Sequence, residues 1–231
     1  MLVLHPPTPQ GKLGAVLSAL IVVFSLVGLT MHGDFYAGVR RRDYWAYYTN
    51  QSNLLVFAYF ALLSPFLYAN PRLSAMIPRT EFAVMLSIML THLVYHHFLA
   101  PFVGEETIYS PHAPDARIAR ADSIVQHYAV PLLTFAYWLF CSPSKARLTF
   151  LDAFLWLLFP LGYTGYVLLR AKLRGVIHRT KSAYPYPFLD VRFFGVRRVL
   201  RLAGLLLALC LGASLSVILL IKAVCFVLRC A

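Results

Sequence analysis

The residues best suited to chemistry in this chain lie in three short polar clusters, at positions 49–53, 91–97 and 122–127, each within an apolar stretch. Nucleophilic catalysis needs a hydroxyl, a base that accepts its proton and hydrogen-bond donors for the developing oxyanion. Thr49 supplies a hydroxyl, His127 supplies an imidazole, and the amides of the first cluster supply donors. Together the clusters contain every group that an acyl-transfer site requires.

The first cluster is Thr49-Asn50-Gln51-Ser52-Asn53. Thr49, Ser52 and Asn53 are spaced i, i+3 and i+4, so on a helix they share one face. Such residues also cap helices and join membrane helices through hydrogen bonds. One cap needs only one polar side chain, however, and this cluster has more. Asn50, Ser52 and Asn53 are therefore candidate supporting or oxyanion-stabilising residues, and a tyrosine is a further candidate for the oxyanion.

The second cluster contains three histidines, His92, His96 and His97. His92 and His96 are one helical turn apart, which suits a metal site, and Glu105 and Glu106 follow with further oxygen ligands. A metal-dependent lipid enzyme holding Zn or Fe is therefore one alternative. Against it, no second pair of histidines with i, i+4 spacing occurs on another predicted helix. A lone membrane histidine is more often a hydrogen-bonded packing residue.

The third cluster, at 122–127, places His127 about one helical turn inside an apolar segment. Asp122 suits the positive end of the helix dipole, whereas the only structural explanation for His127 is an interhelical hydrogen bond. A catalytic base is usually oriented by another residue. Candidates for that role are Asp190, which could equally cap a helix, and His96.

The composition indicates what must position these groups. Of the 231 residues, 60% are hydrophobic and only 13% are charged, whereas soluble domains carry about 25% charged residues. This excludes a cytosolic enzyme, a disordered tail and a secreted disulfide scaffold. The net charge of +12 is typical of positive loops beside membrane helices and of contact with anionic lipids, and nucleic acid is not an expected partner.

A membrane-spanning helix needs about 20 mostly apolar residues. The sequence contains six such runs, which predict a six-helix transmembrane bundle in one domain over 1–231, all-α in class. The predicted spans are 13–31, 49–69, 82–101, 123–141, 148–169 and 199–228.

Six spans also predict where the polar clusters meet. Helices two and four begin at the same membrane face and helix three ends there, so Thr49, His127 and His96 come to one side at similar depth. Just before helix two, Arg40, Arg41 and Arg42 are candidates to hold a lipid carboxylate or phosphate. The simpler interpretation of the three arginines is a topology signal.

Four runs of the chain resemble the bacterial Pr-six-Pr family of membrane proteins, over roughly 49–190. The resemblance rests on the following runs: Tyr48-Thr49-Asn50-Gln51-Ser52-Asn53-Leu54-Leu55, His127-Tyr128-Ala129-Val130-Pro131, Trp156-Leu157-Leu158-Phe159-Pro160 and Tyr184-Pro185-Tyr186-Pro187-Phe188-Leu189-Asp190. The last is the most specific, and its prolines predict an extended segment. One interpretation of that segment is that it covers the pocket.

That bacterial family is similar to the eukaryotic androgen-induced-gene family, whose members are multi-pass membrane hydrolases of fatty acid esters of hydroxy fatty acids. The resemblance implies a threonine-dependent lipid ester hydrolase, with Thr49 as nucleophile and His127 as its base. It also implies a lipid ester substrate, membrane lipids as partners, no cofactor or metal, and a location in the bacterial inner membrane. A third interpretation is a non-enzymatic carrier or scaffold, in which the polar residues serve only helix packing.

Overall fold

The computed structural model describes residues 9–32, 43–100, 121–143, 145–177 and 182–227. These ranges are almost entirely helical and contain no named strand. We label the α-helices in chain order as follows: α1 (Pro9–His32), α2 (Tyr48–Ala58), α3 (Ser64–Ala69), α4 (Ile77–Val94), α5 (Val130–Phe140), α6 (Asp152–Leu155), α7 (Leu158–Leu173), α8 (Val191–Phe194) and α9 (Val196–Val227).

Five helical stretches in the described ranges are long and apolar enough to cross a membrane. They are Gly11–Met31, Tyr48–Ala69, Pro71–Leu99, Asp152–Leu173 and Val196–Val227. This agrees with the predicted all-α membrane class. The remaining predicted span, 123–141, is also helical but is not among the five, since its first turns carry Asp122, Ser123, Gln126 and His127. The predicted count of six therefore rests on this helix.

The outer surfaces of these helices are apolar to a degree that soluble proteins avoid. Leu62 is 69% exposed, Leu158 is 65% exposed and Phe226 is 86% exposed. In the most apolar stretch of α9, only 11% of the residues are buried within the molecule. Such faces are consistent with a chain that crosses a lipid bilayer several times.

Prolines account for most differences between the predicted and observed helix limits. The prediction placed a turn at Pro78 and began helix three at residue 82, but α4 begins at Ile77. Proline is tolerated in the first helical turn, where its missing N–H has no intrahelical partner. Conversely, the predicted continuous span 148–169 is divided into α6 and α7, with Pro160 in the first turn of α7.

Three π-turns interrupt the helices, at Tyr59–Leu63, Tyr95–Leu99 and Val125–Ala129. The last runs directly into α5, whose second residue is Pro131. In a π-turn the regular ladder of backbone hydrogen bonds shifts by one residue, and such turns are frequent at functional sites. His127 lies within this third π-turn.

The polar clusters lie where α1, α2 and α5 approach one another closely. A Cβ atom on Gly28 of α1 would come within 2.8 Å of the Gln126 side chain, so only glycine permits this approach. One apolar core cluster joins these helices and α4, and it contains Ile21, Val56, Ile88 and Val130. The close contact fixes the π-turn, and hence His127, against the start of α2.

An ion pair between buried Arg170 and partly exposed Asp43 secures the segment that follows α7. The guanidinium of Arg170 pairs with Asp43 and donates to the carbonyl oxygens of Ala183 and Gly175 at 3.3 and 3.4 Å. Arg170 thereby connects the residues just before α2 to the chain around Ala183. The result is that the loop bearing Tyr186 lies against the first turn of α2.

Candidate active site

Thr49 and His127 are in direct contact inside the bundle. The Oγ1 atom of Thr49 lies 3.3 Å from Nε2 of His127. Both side chains are buried, although 78 residues separate them in the sequence. The structure thus brings together the hydroxyl and the imidazole that the sequence singled out.

The contacts of His127 determine which of its nitrogens carries the proton. Nδ1 lies 3.0 Å from the backbone carbonyl oxygen of Ser123. A carbonyl can only accept a hydrogen bond, so Nδ1 is the protonated nitrogen and Nε2 presents its lone pair to Thr49. This is the tautomer a general base requires, and the group that sets it is a carbonyl on the same helix.

The ring of His127 is held in place from one face by Tyr95. The two rings stack with centroids 3.8 Å apart and planes 18° from parallel. Ser123, one turn before His127, donates its hydroxyl proton to the Tyr95 hydroxyl at 2.8 Å. The imidazole is therefore fixed in both rotation and tilt.

In this structure His92 is a hydrogen-bond donor to a backbone carbonyl of the neighbouring helix. Pro131 lacks an N–H, so it cannot donate to the carbonyl oxygen of His127 four residues earlier. The Nδ1 atom of His92 lies 2.7 Å from that carbonyl oxygen and donates to it. An unpaired carbonyl is costly in a membrane interior, so His92 compensates for the proline.

His96 and His97 lie further out than His92, and both are exposed. His96 contacts the Tyr128 hydroxyl at 3.0 Å through Nδ1 and stacks on His92, so its contacts are not with the His127 ring. Within the described ranges, no group of three or more His, Cys, Asp or Glu side chains is arranged to hold a metal ion. Glu105 and Glu106 lie outside those ranges.

Asn50, Ser52 and Asn53 are completely buried and bind the surrounding backbone and side chains. Asn50 donates to the carbonyl of Tyr44 at 2.6 Å, and Asn53 donates to that of Thr49 at 2.8 Å. Ser52 bonds to the Thr91 hydroxyl at 2.7 Å. The Ser52 bond joins α2 to α4, whereas these Asn50 and Asn53 bonds stay within α2 and the turn just before it.

Asp190 acts as a helix cap, which was the alternative to orienting His127. Its carboxylate accepts from the backbone N–H of Arg192 at 2.9 Å, at the start of α8, and from the hydroxyl of Ser182. Burial acts to raise the pKa of this carboxyl, but the hydrogen bonds outweigh it and hold the pKa below its usual range. The carboxylate therefore stays ionised and keeps the loop closed.

The three arginines Arg40, Arg41 and Arg42 lie outside the residues that the structure describes. Their suggested contact with lipid headgroups stays a prediction. The described chain resumes at Asp43, which pairs with Arg170.

An apolar cavity of about 100 Å³ opens beside Thr49. Its walls come from α2, α4, α7, α9 and the loop before α8, and six of its apolar lining residues are Leu90, Val94, Leu202, Leu206, Leu207 and Cys210. Thr49 is one of the few polar groups that line it, and His127 adjoins the cavity only through Thr49. Asn50, Ser52 and Asn53 do not line it.

Tyr186 is the site residue that sequence reasoning did not single out. Its hydroxyl accepts from the backbone N–H of Tyr48, the residue before Thr49, at 3.1 Å. It also lines the cavity with Thr49. The available signal was the extended run 184–188, which was interpreted as a possible cover for the pocket without a role for one tyrosine.

Comparison of the chain with protein-family models, with curated proteins and with solved structures finds no match. The geometry of the site is therefore the basis for any functional conclusion.

Proposed function

We propose that the chain is a membrane-embedded lipid ester hydrolase with Thr49 as nucleophile and His127 as general base. The observation that carries the proposal is the 3.3 Å contact between Thr49 Oγ1 and His127 Nε2. The carbonyl of Ser123 supports it by directing the Nε2 lone pair to the threonine. A buried hydroxyl beside a correctly oriented imidazole is the minimum arrangement for nucleophilic catalysis.

The reaction proceeds in two balanced halves. In the first, Thr49 Oγ1 bonds to the ester carbonyl carbon while His127 Nε2 takes the hydroxyl proton. The carbon–oxygen bond to the leaving alcohol then breaks, and His127 returns the proton to that alcohol. In the second half, His127 deprotonates water as the water oxygen bonds to the acyl carbon. The bond between that carbon and Thr49 Oγ1 then breaks, His127 returns the proton to Thr49 Oγ1, and the carboxylic acid leaves. The sum is ester plus water giving acid plus alcohol.

The cavity supports a lipid substrate. Its apolar walls suit an acyl chain, and Thr49 at its edge suits the polar ester group. The surrounding helices are apolar on their outer faces, so a chain dissolved in the bilayer reaches the site without crossing water. Fatty acid esters of hydroxy fatty acids are the substrates implied by the family resemblance.

The helix formed by 121–140 is part of this proposal as a sixth membrane span. Val130 is fully buried against α1, α2 and α4, and Trp138 is buried against α4. The polar residues of its first turns face protein partners, as Gln126 does by donating to the Gly28 carbonyl at 3.0 Å. Such pairing makes polar groups tolerable at membrane depth. The bacterial inner membrane is the proposed location.

The test is active-site labelling in detergent with a fluorophosphonate probe, followed by turnover of para-nitrophenyl esters of increasing chain length. We expect the wild type to be labelled and active. Thr49→Ala and His127→Ala should each lose at least about 10³-fold in turnover while remaining folded. Thr49→Ser should keep labelling, because it retains the hydroxyl.

Thr134→Ala is the matched control. Thr134 is a buried helical threonine whose hydroxyl bonds only to its own helix, at Val130, so its loss should not alter labelling. Folded wild-type protein that shows neither labelling nor turnover would contradict the hydrolase proposal. The same effect of Thr49→Ala and Thr134→Ala would indicate that the polar cluster serves packing alone.

A further inference from the structure

Tyr186 lines the cavity together with Thr49. Tyr48, Tyr163 and Thr164 also line it, but their hydroxyls donate to backbone carbonyls. The Tyr186 hydroxyl bonds to the first turn of α2, directly before Thr49, and its side chain lines the cavity that the scissile ester must enter. The amide donors of Asn50 and Asn53 are instead directed at backbone carbonyls and do not line the cavity. An attacked carbonyl therefore meets the Tyr186 hydroxyl, and not the amides.

The hydrogen bonds of Tyr186 leave its proton available. Its oxygen accepts from the backbone N–H of Tyr48 at 3.1 Å, so the phenolic proton is not used in that bond. The polar side chains beside it are Thr49, whose own proton is directed to His127, and Tyr163, whose hydroxyl donates to the Ala46 carbonyl at 2.9 Å. The hydroxyl proton of Tyr186 can therefore turn toward the nucleophilic oxygen and the space beside it.

The aromatic ring is rigidly held. It is stacked parallel to Phe188 with centroids 5.3 Å apart and packs edge-on against Tyr47. Pro185 and Pro187 restrict the backbone on both sides, and Arg170 fastens Ala183 nearby. Burial raises the pKa of the Tyr186 phenol above its usual value, so the group stays protonated as a donor near neutral pH.

On the basis of the proposed function, we propose that Tyr186 is a catalytic residue that stabilises the oxyanion. When the ester enters, the hydroxyl turns its proton from Thr49 Oγ1 to the carbonyl oxygen, and the bond strengthens as that oxygen becomes negative. No proton is transferred in this step. A donor already positioned before reaction costs no reorganisation when the charge develops.

A purely structural role for Tyr186 makes a different prediction. The first N–H groups of a helix lack intrahelical partners, and Tyr186 satisfies that of Tyr48 at the start of α2. If capping were its only role, removal of the hydroxyl would lower thermal stability and leave kcat unchanged. Oxyanion stabilisation instead predicts loss of kcat with little change in KM, because the interaction strengthens only in the transition state.

The experiment compares full-length wild type, Tyr186→Phe, Tyr184→Phe and Thr49→Ala in detergent, with para-nitrophenyl octanoate as substrate. We expect Tyr186→Phe to lower kcat about 100-fold or more, with KM within about threefold. Tyr184→Phe removes a phenol from the same loop, where Tyr184 packs beneath Arg192 and outside the cavity, and should behave as wild type. Unchanged kcat in folded Tyr186→Phe would overturn the role of Tyr186 alone.

Wild type that is inactive, or Thr49→Ala as active as wild type, would overturn the proposed function and this inference with it.

If Tyr186→Phe does not fold, 3-fluorotyrosine at position 186 keeps the ring and the hydroxyl but makes the phenol more acidic. The donor is then lost at lower pH, so the alkaline limb of the kcat profile should move down. His127, Tyr47, Tyr48, Tyr163 and Cys210 are other described ionisable groups around this site, and all of them are unchanged by the substitution. An alkaline limb that does not move contradicts the inference.

Discussion

At the scale of single residues, the site depends on one missing hydrogen-bond donor. Pro131 cannot donate to the carbonyl of His127, and His92 donates to that carbonyl from the neighbouring helix. The carbonyl of Ser123 meanwhile sets the tautomer of the same histidine. Two backbone carbonyls, one before and one at His127, thus place the base where Thr49 can use it.

The first prediction concerns this pairing of His92 with Pro131. His92→Phe keeps an aromatic ring but removes the donor, and an unsatisfied buried carbonyl costs about 1–3 kcal/mol. We expect a lower melting temperature and reduced ester turnover, since His127 is displaced. Thermal unfolding in detergent, followed by tryptophan fluorescence, measures the effect.

The double variant His92→Phe/Pro131→Ala is the control, because alanine restores an N–H four residues after His127. It should recover much of the lost stability. A double variant less stable than His92→Phe would show that the two residues do not act through the His127 carbonyl.

At the scale of elements, the site requires close contact between helices. α1 approaches the π-turn at Gly28, and α9 closes one wall of the cavity. The loop before α8 brings Tyr186 to the start of α2. α1 contributes its close approach to the π-turn, and α9 contributes a wall of the cavity. One substitution in each helix tests these contributions separately.

The second prediction is that Gly28→Ala forces α1 away from Gln126. The added Cβ would lie 2.8 Å from Gln126 Cγ, whose side chain is fixed by two hydrogen bonds. Overpacking of this kind costs about 1–3 kcal/mol, so both stability and turnover should fall. Thermal unfolding and ester turnover measure the change.

Gly212→Ala is the matched control, because a Cβ there meets no atom within 4 Å. Alanine favours the helix by about 1 kcal/mol at such a site, so this variant should be as stable as wild type or more stable. Equal destabilisation by the two substitutions would contradict a specific close approach at Gly28.

The third prediction concerns the length of acyl chain that the cavity accepts. Cys210 lines the cavity on α9, so Cys210→Trp should fill it and reduce hydrolysis of long esters more than that of para-nitrophenyl butyrate. A chain-length series gives the ratio of kcat/KM values, which we expect to shift about 10-fold or more toward short chains.

Cys225→Trp places the same bulk on the same helix outside the cavity. It should leave the chain-length preference unchanged. A uniform loss across all chain lengths in Cys210→Trp would mean that the cavity does not hold the acyl group.

At the scale of the whole molecule, the question is how many helices cross the membrane. The described ranges contain five candidate spans by length and composition, and the helix at 121–140 is the proposed sixth. Polar residues in its first turns lower its apolar character, yet they are paired with protein groups. Hydropathy alone does not register that pairing.

The fourth prediction follows from this count. Six spans place the N- and C-terminal ends on the same side of the membrane, whereas five place them on opposite sides. Reporter fusions at each end, one active only in the cytoplasm and one active only outside it, should give matching results. Opposite results would mean that the number of spans is odd, which would contradict the prediction of six.

The sequence by itself determined the all-α membrane class and the approximate positions of the long apolar helices, because long apolar runs can satisfy their backbone only as helices in lipid. It did not predict the short helix α8. Local residue types also indicated Thr49 and His127 as candidates, since buried polar groups in such runs need a reason. From its position in the chain alone, Asp190 could be either a residue that orients His127 or a helix cap.

Only the tertiary structure decided how these groups meet. The 3.3 Å contact between Thr49 and His127, the donation from His92 and the approach of Tyr186 join segments that lie 35 to 138 residues apart. Periodicity and composition describe a helix and its own faces, but they carry no information on which faces pack together. The Ser123 carbonyl is set beside His127 by their shared helix, whereas the Tyr186 hydroxyl joins the site only because its loop packs against the start of α2.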